Sequence, residues 1–378
     1  LVMNSRRCFL KRSSAFPLAA TIPSFFFSRE ASAAGSPVQR GFDPRPQNGW
    51  RTFEVTTRVD LDPARGASQV WLPVPSIESD WQRSLQTSFS SNGTTRMVKE
   101  GKYGARVLHA RFTPAQQQPF VELISRVRTR DRSLDLSQRH VAKAEDAATL
   151  AFWTQSTEMI PTDGVVRSTA LKATRVARGD VSQVRAIYEW VVHNTYRDPA
   201  VRGCGEGNIK TMLDSGNLGG KCADQNALFV GMCRAVGIPA RDLYGVRLAP
   251  SRFGYRELGG NPATLSDAQH CRAEAYLRGY GWVAMDPADV TKVMREETTE
   301  WIKSATNAVV APVHKGLFGG CEGNWLAYNA ANGVALPSSS GPKLGFLMYP
   351  VAENAKGRFD SYSPADFRYR ITAREITI

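Results

Sequence analysis

Short segments of alternating apolar and polar residues dominate the chain from Trp50 to about residue 130. This alternation has the two-residue period of a β-strand, and Pro, Gly, Asn and Ser between the segments favour turns. The pattern predicts a small antiparallel β domain at residues 50–130. Its clearest strands are predicted at 53–59, 69–75, 105–112 and 120–127.

From about residue 146 the apolar positions take the three- and four-residue spacing of amphipathic helices. One helix is predicted at 165–177, and a second begins at Val181, after Gly179 and Asp180. A third is predicted at 222–235, because Gly219-Gly220 precedes it and Gly237-Ile238-Pro239 ends it.

The pattern then returns to strands. Strands are predicted at 242–248, 270–277 and 282–286, with 278–281 as the hairpin connection between the last two. Two more are predicted at 344–351 and 367–376. Helices followed by an antiparallel sheet indicate an α+β fold, with a core at 146–295 and a strand-containing C-terminal extension at 296–378.

The first residues, 1–34, read as a targeting segment and lead-in rather than as part of the fold. Residues 5–11, SRRCFLK, resemble the bacterial twin-arginine export signal, an apolar stretch follows at 15–27, and Ala31-Ser32-Ala33 fits a cleavage site. That stretch is too short to span a bilayer, so no transmembrane segment is expected after cleavage. The signal predicts export of a folded protein to the periplasm or outer face of a bacterium. A disordered basic tail is the alternative, and 34–49 reads as a flexible connection.

Composition narrows the classes of function. Hydrophobic content of 42% and charged content of 22% are ordinary for a globular protein, so general disorder is not the default interpretation. The formal net charge of +13 favours anionic partners such as an acidic cell-envelope polymer or acidic peptides. Nucleic acid is not the expected partner, because no run of Lys and Arg is interleaved with aromatic residues and no zinc-finger pattern occurs.

Five cysteines follow the predicted signal: Cys204, Cys222, Cys233, Cys271 and Cys321. An odd number leaves at least one thiol unpaired, and a protein that folds before export does not depend on disulfides. The pairing of the others stays open. No C-x-x-C pair occurs, so we expect no structural zinc site and no cofactor.

Cys222 is the first candidate for chemistry because it opens a predicted helix directly after two glycines. Backbone N–H groups and the helix dipole at that position favour a thiolate. The glycines allow a tight turn that would leave the sulfur accessible. Cys233, on the inner side of the same helix, is expected to be a packing residue.

His270 and Asp286 supply the partners that a thiol nucleophile needs. Imidazole can exchange a proton with the sulfur and the leaving amine, and a carboxylate can orient the ring and stabilise its charged form. The two residues flank the predicted hairpin connection. An odd-numbered loop places them on one face of the sheet, whereas an even-numbered loop would separate them.

Together these motifs resemble the transglutaminase-like superfamily, in particular its bacterial cysteine peptidases. The segments 219–224 (GGKCAD) and 228–241 (LFVGMCRAVGIPAR) resemble the nucleophile helix, and 270–277 (HCRAEAYL) and 281–287 (GWVAMDP) resemble the histidine and aspartate strands. The resemblance covers roughly 146–290 and implies a papain-like core, preceded by a strand-rich domain, with a Cys222–His270–Asp286 triad. Arg272 and Ala273 depart from the family pattern, so details of the cleft do not transfer. Acidic calcium loops are not seen, and calcium is not implied.

Two further residues are weaker candidates. The backbone N–H of Cys222 is a natural oxyanion donor, and Tyr196 is proposed as the second donor, with simple packing as its alternative. Glu274 lies on the His270 strand and could support the site, although a surface charge is the favoured interpretation.

The sequence leaves two functional hypotheses. The first is thiol-dependent acyl transfer on amide bonds of a peptide or protein, through a thioester that water or an amine resolves. Hydrolysis is favoured because water is abundant and no amine-binding site is evident. The second is a catalytically silent scaffold with the same fold, whose basic surface binds an acidic envelope polymer or partner protein.

Overall fold

The computed structural model describes residues 41–46, 49–138 and 140–377. The predicted export signal, and most of the connection after it, lie outside these residues. Among the described residues, no helix has both the length and the apolar character that crossing a bilayer requires.

Strands fill the first part of the chain, and the period of two seen in the sequence appears as alternating burial along β1. The predicted N-terminal β domain is confirmed. Its strands are β1 (Arg51–Asp60), β2 (Ser68–Val74), β3 (Gln82–Ser91), β4 (Thr94–Lys99), β5 (Arg106–Phe112), β6 (Phe120–Thr129) and β7 (Arg132–Ser133).

The middle of the chain is mainly helical before it forms a hairpin. In order, the elements are α1 (Ala147–Phe152), α2 (Gly164–Ala173), α3 (Asp180–Asn194), β8 (Tyr196–Arg197), α4 (Ile209–Ser215), β9 (Gly219–Gly220), α5 (Cys222–Ala235), β10 (Ala240–Arg247), β11 (Gln269–Leu277) and β12 (Gly281–Met285). The first of the three predicted helices ends earlier than expected, since α2 stops at Ala173 rather than at residue 177.

Short elements make up the remainder. They are α6 (Pro287–Glu296), α7 (Ala311–Gly316), β13 (Gly320–Cys321), β14 (Trp325–Asn329), β15 (Asn332–Val334), β16 (Leu344–Phe346), β17 (Val351–Asn354), β18 (Gly357–Arg358) and β19 (Tyr369–Ile376). The strand predicted at 344–351 is two strands, β16 and β17. Pro350, which has no backbone N–H, lies directly before the second of them.

The C-terminal strands do not form a lobe of their own. β19 pairs with β1 from Thr52 to Val59, and β17 pairs with β2, so each joins one of the two sheets of the N-terminal domain. β14 instead pairs with β10 and completes the core sheet, whose order is β12-β11-β10-β14. The region predicted as an extension therefore supplies strands to both parts of the molecule.

Helix α5 lies at the centre of the core. Every one of its residues is buried except Asp224, and it packs against β10 and β11 as well as against α2 and α3. Such a buried helix places its first residue, Cys222, inside the protein beside the strand that carries His270. The mixed helix and antiparallel-sheet class predicted from the sequence is confirmed.

Candidate active site

The start of α5 is fixed by one carboxylate. Asp224, in the first turn of the helix, accepts hydrogen bonds from the backbone N–H groups of Lys221, Glu206 and Gly207, each at 2.9 Å. A carboxylate at this position satisfies donors that a helix terminus leaves open. It joins the loop before α4 to the residue preceding Cys222, and so sets where the sulfur lies.

The two glycines before Cys222 are required by close approach. They form the short strand β9, which pairs in parallel with β8. A Cβ on Gly219 would lie 2.6 Å from the ring of Tyr196, and one on Gly220 would lie 2.7 Å from the Cβ of Asp224. The sequence analysis explained the two glycines by a tight turn. The structure explains them instead by neighbouring side chains that approach the place of a Cβ. Cys222 is only 4% exposed, so its sulfur does not lie on the outer surface of the protein.

His270 and Asp286 meet as the hairpin condition requires. The register pairs Leu277 with Gly281, which leaves a loop of three residues, 278–280, and puts both side chains on one face. The Nε2 atom of His270 lies 2.8 Å from Oδ2 of Asp286, and both residues are buried. The other ring nitrogen, Nδ1, is thereby left available for the sulfur of Cys222, whose pKa is lowered by His270 among other neighbours.

A second carboxylate, which the sequence analysis missed, faces the same imidazole. Asp286 caps α6 by accepting from the backbone N–H of Asp289 at 3.1 Å. This turn brings Oδ2 of Asp289 to 3.4 Å from Nε2 of His270. Arg247 donates to the other oxygen of Asp289 at 2.5 Å. The sequence signal that could have revealed Asp289 is the spacing Asp-Pro-x-Asp at the start of a helix. This spacing places the first and fourth residues on one side of the helix.

Asp286 is held by more than the histidine. The side-chain amide of Asn226, on α5, donates to Oδ1 of Asp286 at 3.2 Å and to the carbonyl of Cys271 at 2.9 Å. Because one amide bridges the nucleophile helix, the histidine strand and the carboxylate, it fixes the distance between the elements that carry the site.

The environment charges the imidazole. Burial lowers the pKa of His270, and so does the charge of Arg247, but the carboxylates of Asp289 and Asp286 outweigh both and raise it to about 9. A histidine with this pKa carries a proton at neutral pH. It can therefore act as the acid that a departing amine requires.

The environment also ionises the sulfur. Burial raises the pKa of Cys222, but hydrogen bonds with Cys204, Cys271 and His270 outweigh it and bring the pKa well below its ordinary value. For Cys204 the contact with Cys222 is the largest cause of a raised pKa, and for Cys271 burial comes first and that contact second. The five cysteines of the described residues are all free.

A cavity of about 460 Å³ opens over these groups. Cys222, His270 and Cys204 line it, together with Lys221 and Arg197. A volume of this size lies in the range of small-molecule and peptide pockets. Cys222 is therefore buried within the protein but open to a ligand that enters the cavity.

Tyr196 does not line this cavity. Successive residues of a strand point to opposite sides, and on β8 Arg197 faces the cavity while Tyr196 faces outward. Tyr196 is 37% exposed and donates its hydroxyl to Oδ1 of Asn217 at 3.1 Å. The structure therefore does not support Tyr196 as the second oxyanion donor.

Glu274 is not the surface charge that the sequence favoured. It is 1% exposed and lies between two guanidinium groups, with Arg132 at 2.5 Å and Arg241 at 2.6 Å. Burial alone would raise the pKa of Glu274, but Arg241 and Arg132 outweigh burial and lower it. The carboxylate joins β7, β10 and β11 and makes no contact with His270 or Asp286 among the described residues.

The group of His270, Asp286 and Asp289 has the composition of a metal site, with possible ligand atoms within 4.8 Å of one another. Two arginines oppose that use. Arg247 forms an ion pair with Asp289, and Nε of Arg272 lies 3.7 Å from Asp286. Because their charges repel a cation and engage the same oxygens, these residues fit a proton-transfer site better than a metal site.

Comparison with known proteins shows the family of the chain. A sequence model of the transglutaminase-like superfamily matches residues 167–287, which include Cys222, His270 and Asp286. An uncharacterized protein of Haemophilus influenzae is 31% identical over 342 residues, covering 86% of this chain and 91% of that protein. The chain belongs to the transglutaminase-like superfamily.

Among solved structures, this transglutaminase-like protein resembles a proposed cysteine protease from Cytophaga hutchinsonii. The TM-score is 0.51 and the identity 15%, over 87% of this chain and 92% of that one. At this identity the likeness shows the fold alone. The periplasmic domain of TgpA from Pseudomonas aeruginosa also matches, with a TM-score of 0.32 and 16% identity, over 75% of this chain and 100% of that domain.

Proposed function

We propose that the protein is a thiol enzyme that transfers acyl groups from amide bonds through a thioester, with Cys222, His270 and Asp286 as the triad. One observation carries the proposal: Cys222, at the start of α5, lines the same cavity as His270, whose Nε2 atom lies 2.8 Å from a buried carboxylate. Nucleophile, base and orienting group then stand in the order that covalent catalysis requires.

In the proposed reaction the Cys222 thiolate attacks the carbonyl carbon of the amide. The oxyanion forms near the start of α5, where the N–H of Cys222 has no acceptor within the helix. His270 gives its proton to the departing amine, which leaves a thioester on the sulfur. Asp286 keeps the ring oriented and stabilises its charged form before this transfer.

The second half of the reaction decides the product. Water activated by His270 would hydrolyse the thioester and return the thiol, giving a peptidase or amidase, whereas a primary amine would give a transamidase. We favour hydrolysis of a peptide or protein substrate. The cavity-facing side chains next to Cys222 include two cations, Lys221 and Arg197, and these oppose binding of a protonated amine.

The test has two stages. The rate at which iodoacetamide alkylates Cys222 should stay high at pH 6, far below the pKa of an ordinary thiol, and should fall to the rate of a free cysteine after denaturation. Peptide mixtures are then incubated with wild type and Cys222→Ala, with and without a labelled primary amine. Loss of both cleavage and amine incorporation in the variant is expected. If Cys222 is alkylated no faster than in denatured protein, the proposed enzyme is rejected. The alternative, a catalytically silent scaffold of the same fold, is then favoured.

The location is a separate proposal. Export by the twin-arginine route to the periplasm rests on residues 5–11 and 31–33, which lie outside the described residues. Replacing Arg6 and Arg7 with lysine should retain the protein in the cytoplasm, as cell fractionation would show.

A further inference from the structure

We propose that the cavity beside Cys222 is a binding site for an acidic peptide, with a substrate carboxylate held by Lys221 and a substrate peptide group held by Gln269. This inference rests on the proposed function and names the substrate class for the same site.

Cations dominate the charged groups of the cavity wall. Besides His270, four lysine and arginine side chains line it, while the exposed Asp267 is the one carboxylate among the lining side chains of the described residues. Three of the cations are held by carboxylates behind the wall, which do not line the cavity: the pairs are Arg197–Glu296 at 3.1 Å, Lys292–Glu257 at 3.0 Å and Arg247–Asp289 at 2.5 Å. N–H donors therefore face the space where a substrate would lie.

Lys221 differs from the other three. Its ammonium makes no ion pair or hydrogen bond with any other residue in the described part of the chain. Burial lowers the pKa of Lys221, and the nearby charge of Arg197 lowers it further. A carboxylate in the cavity would relieve this repulsion. Because Lys221 immediately precedes Cys222, that carboxylate would lie close to the scissile amide.

Gln269 provides an independent observation. It lines the same cavity, is 7% exposed, and neither its Oε1 nor its Nε2 has a hydrogen-bond partner among the described residues. A buried amide without partners is costly, so such a group is expected to pair when a ligand is bound. An amide offers one donor and one acceptor side, the complement of a peptide group. Pairing of β11 with β10 fixes its backbone.

A pair of alkylating reagents tests the carboxylate site without requiring turnover. Iodoacetate carries a carboxylate and iodoacetamide is its neutral analogue, so the ratio of their rates at Cys222 removes any change in the thiolate itself. Relative to wild type, Lys221→Met should lower this ratio about tenfold, the size of a charge-assisted hydrogen bond discounted for partial exposure. Lys221→Arg should retain most of it. Lys172→Met, which removes the same charge from an exposed helical site, should leave it unchanged.

An equal ratio in wild type and Lys221→Met would overturn the carboxylate site, although Cys222 could still be reactive and the proposed function intact. Conversely, a slow reaction of Cys222 with iodoacetamide would remove the proposed function itself. The two failures are therefore distinguished within one experiment.

Short peptides test the rest of the site. Acetyl-Ala-Glu-amide should protect Cys222 from iodoacetamide at about a tenth of the concentration that acetyl-Ala-Gln-amide needs, and Lys221→Met should abolish this difference. Gln269→Met should weaken protection by both peptides alike, and Gln269→Ala serves as a second variant if the first does not fold. Equal protection by the two peptides in wild type would overturn the preference for an acidic substrate. Unchanged protection in both Gln269 variants would remove Gln269 from the site.

Discussion

His270 lies between two carboxylates and two guanidinium groups, and its charge depends on which pair is closer. Asp286 and Asp289 approach Nε2 at 2.8 and 3.4 Å, while Arg247 and Arg272 contact those carboxylates. The carboxylates outweigh Arg247 and burial, which raises the pKa of His270 to about 9. Asp289 therefore also stabilises the imidazolium. Unlike Asp286, it does not cap a helix.

This arrangement predicts the pH dependence of turnover. Since the charged imidazole acts as the acid, kcat/KM should fall as pH rises through about 9. Asp289→Asn removes a carboxylate that raises the pKa of His270, so the alkaline limb should move to lower pH. Rate profiles from pH 5 to 10 measure this shift.

The matched control for Asp289→Asn is Asp267→Asn, which removes an exposed carboxylate from the same cavity. Its alkaline limb should stay where it is in wild type. An unshifted limb in a folded Asp289→Asn variant would show that Asp289 does not act on the imidazole.

The same group of residues shows what the sequence could predict at this scale. Cys222, His270 and Asp286 each have a local signal: a glycine pair before a helix, and the parity of a short hairpin. Cys204 has none, because long-range packing brings it to the cavity, and Gln269 directly precedes His270 but has no motif of its own. The sequence analysis expected Tyr196 to face the active site, but its neighbour Arg197 does so instead. Adjacent residues of a strand point to opposite sides, so an error of one residue places the side chain on the wrong side.

Among the elements, β9 and α5 together determine how the nucleophile is presented. Neither glycine of β9 has a left-handed backbone; both are needed because neighbouring atoms approach the place of a Cβ. Sequence patterning correctly predicted the bounds of α5 but not this reason, since the approach of Asp224 and Tyr196 arises only after folding.

Gly220→Ala should therefore displace the start of α5. The added Cβ would lie 2.7 Å from the Cβ of Asp224, a contact that requires backbone movement. We expect a loss of about 1–3 kcal/mol in the free energy of unfolding and a slower alkylation of Cys222. Gly101→Ala, where a Cβ meets nothing within 4 Å, is the control, and equal behaviour of the two variants would contradict this account.

Glu274 joins three strands through buried charge. Glu274→Gln should cost about 3–5 kcal/mol in urea denaturation, because it leaves Arg132 and Arg241 with an unbalanced buried charge. Glu375→Gln, which loses a half-exposed partner of Arg51, should cost about 1 kcal/mol or less.

Since the folded pKa of Glu274 is lowered, its contribution to stability is present above the ordinary pKa of 4.5 and is lost as pH falls below it. The difference in the free energy of unfolding between wild type and Glu274→Gln should therefore shrink as the pH falls below 4.5. A difference that stays constant down to low pH would show that the ion pairs of Glu274 do not stabilise the protein.

For the whole molecule, β19 is an element that connects the first N-terminal sheet, which contains β1, with the active-site loop. Ile371 accepts a hydrogen bond from the N–H of Leu265, and Ala373 donates one to the carbonyl of Pro262, both at 2.9 Å. The loop from 261 to 268 leads directly into β11 and lines part of the cavity. The sequence predicted a strand here, but its partners lie at the far end of the chain and carry no local signal.

Ile371→Ala tests this connection. Ile371 is 1% exposed in the apolar cluster that also contains Cys222, so the substitution should cost about 2–5 kcal/mol by thermal or urea unfolding. It should also lower kcat/KM, because the loop before His270 loses its support. Ile376→Ala, at the half-buried end of the same strand, should change both quantities much less. Equal losses for the two would show that the strand acts only through general stability.

The pairing of β1 with β19 also governs the order of assembly. Thr52 lies opposite Ile376, so an inner strand of the first sheet gains its second neighbour only after residue 376 has left the ribosome. Contacts of such sequence separation are slow to form and leave strand edges open in the meantime. Nascent chains that are still short of residue 369 should therefore remain protease-sensitive and bind chaperones, and compact protein should appear only once β19 has emerged from the ribosome.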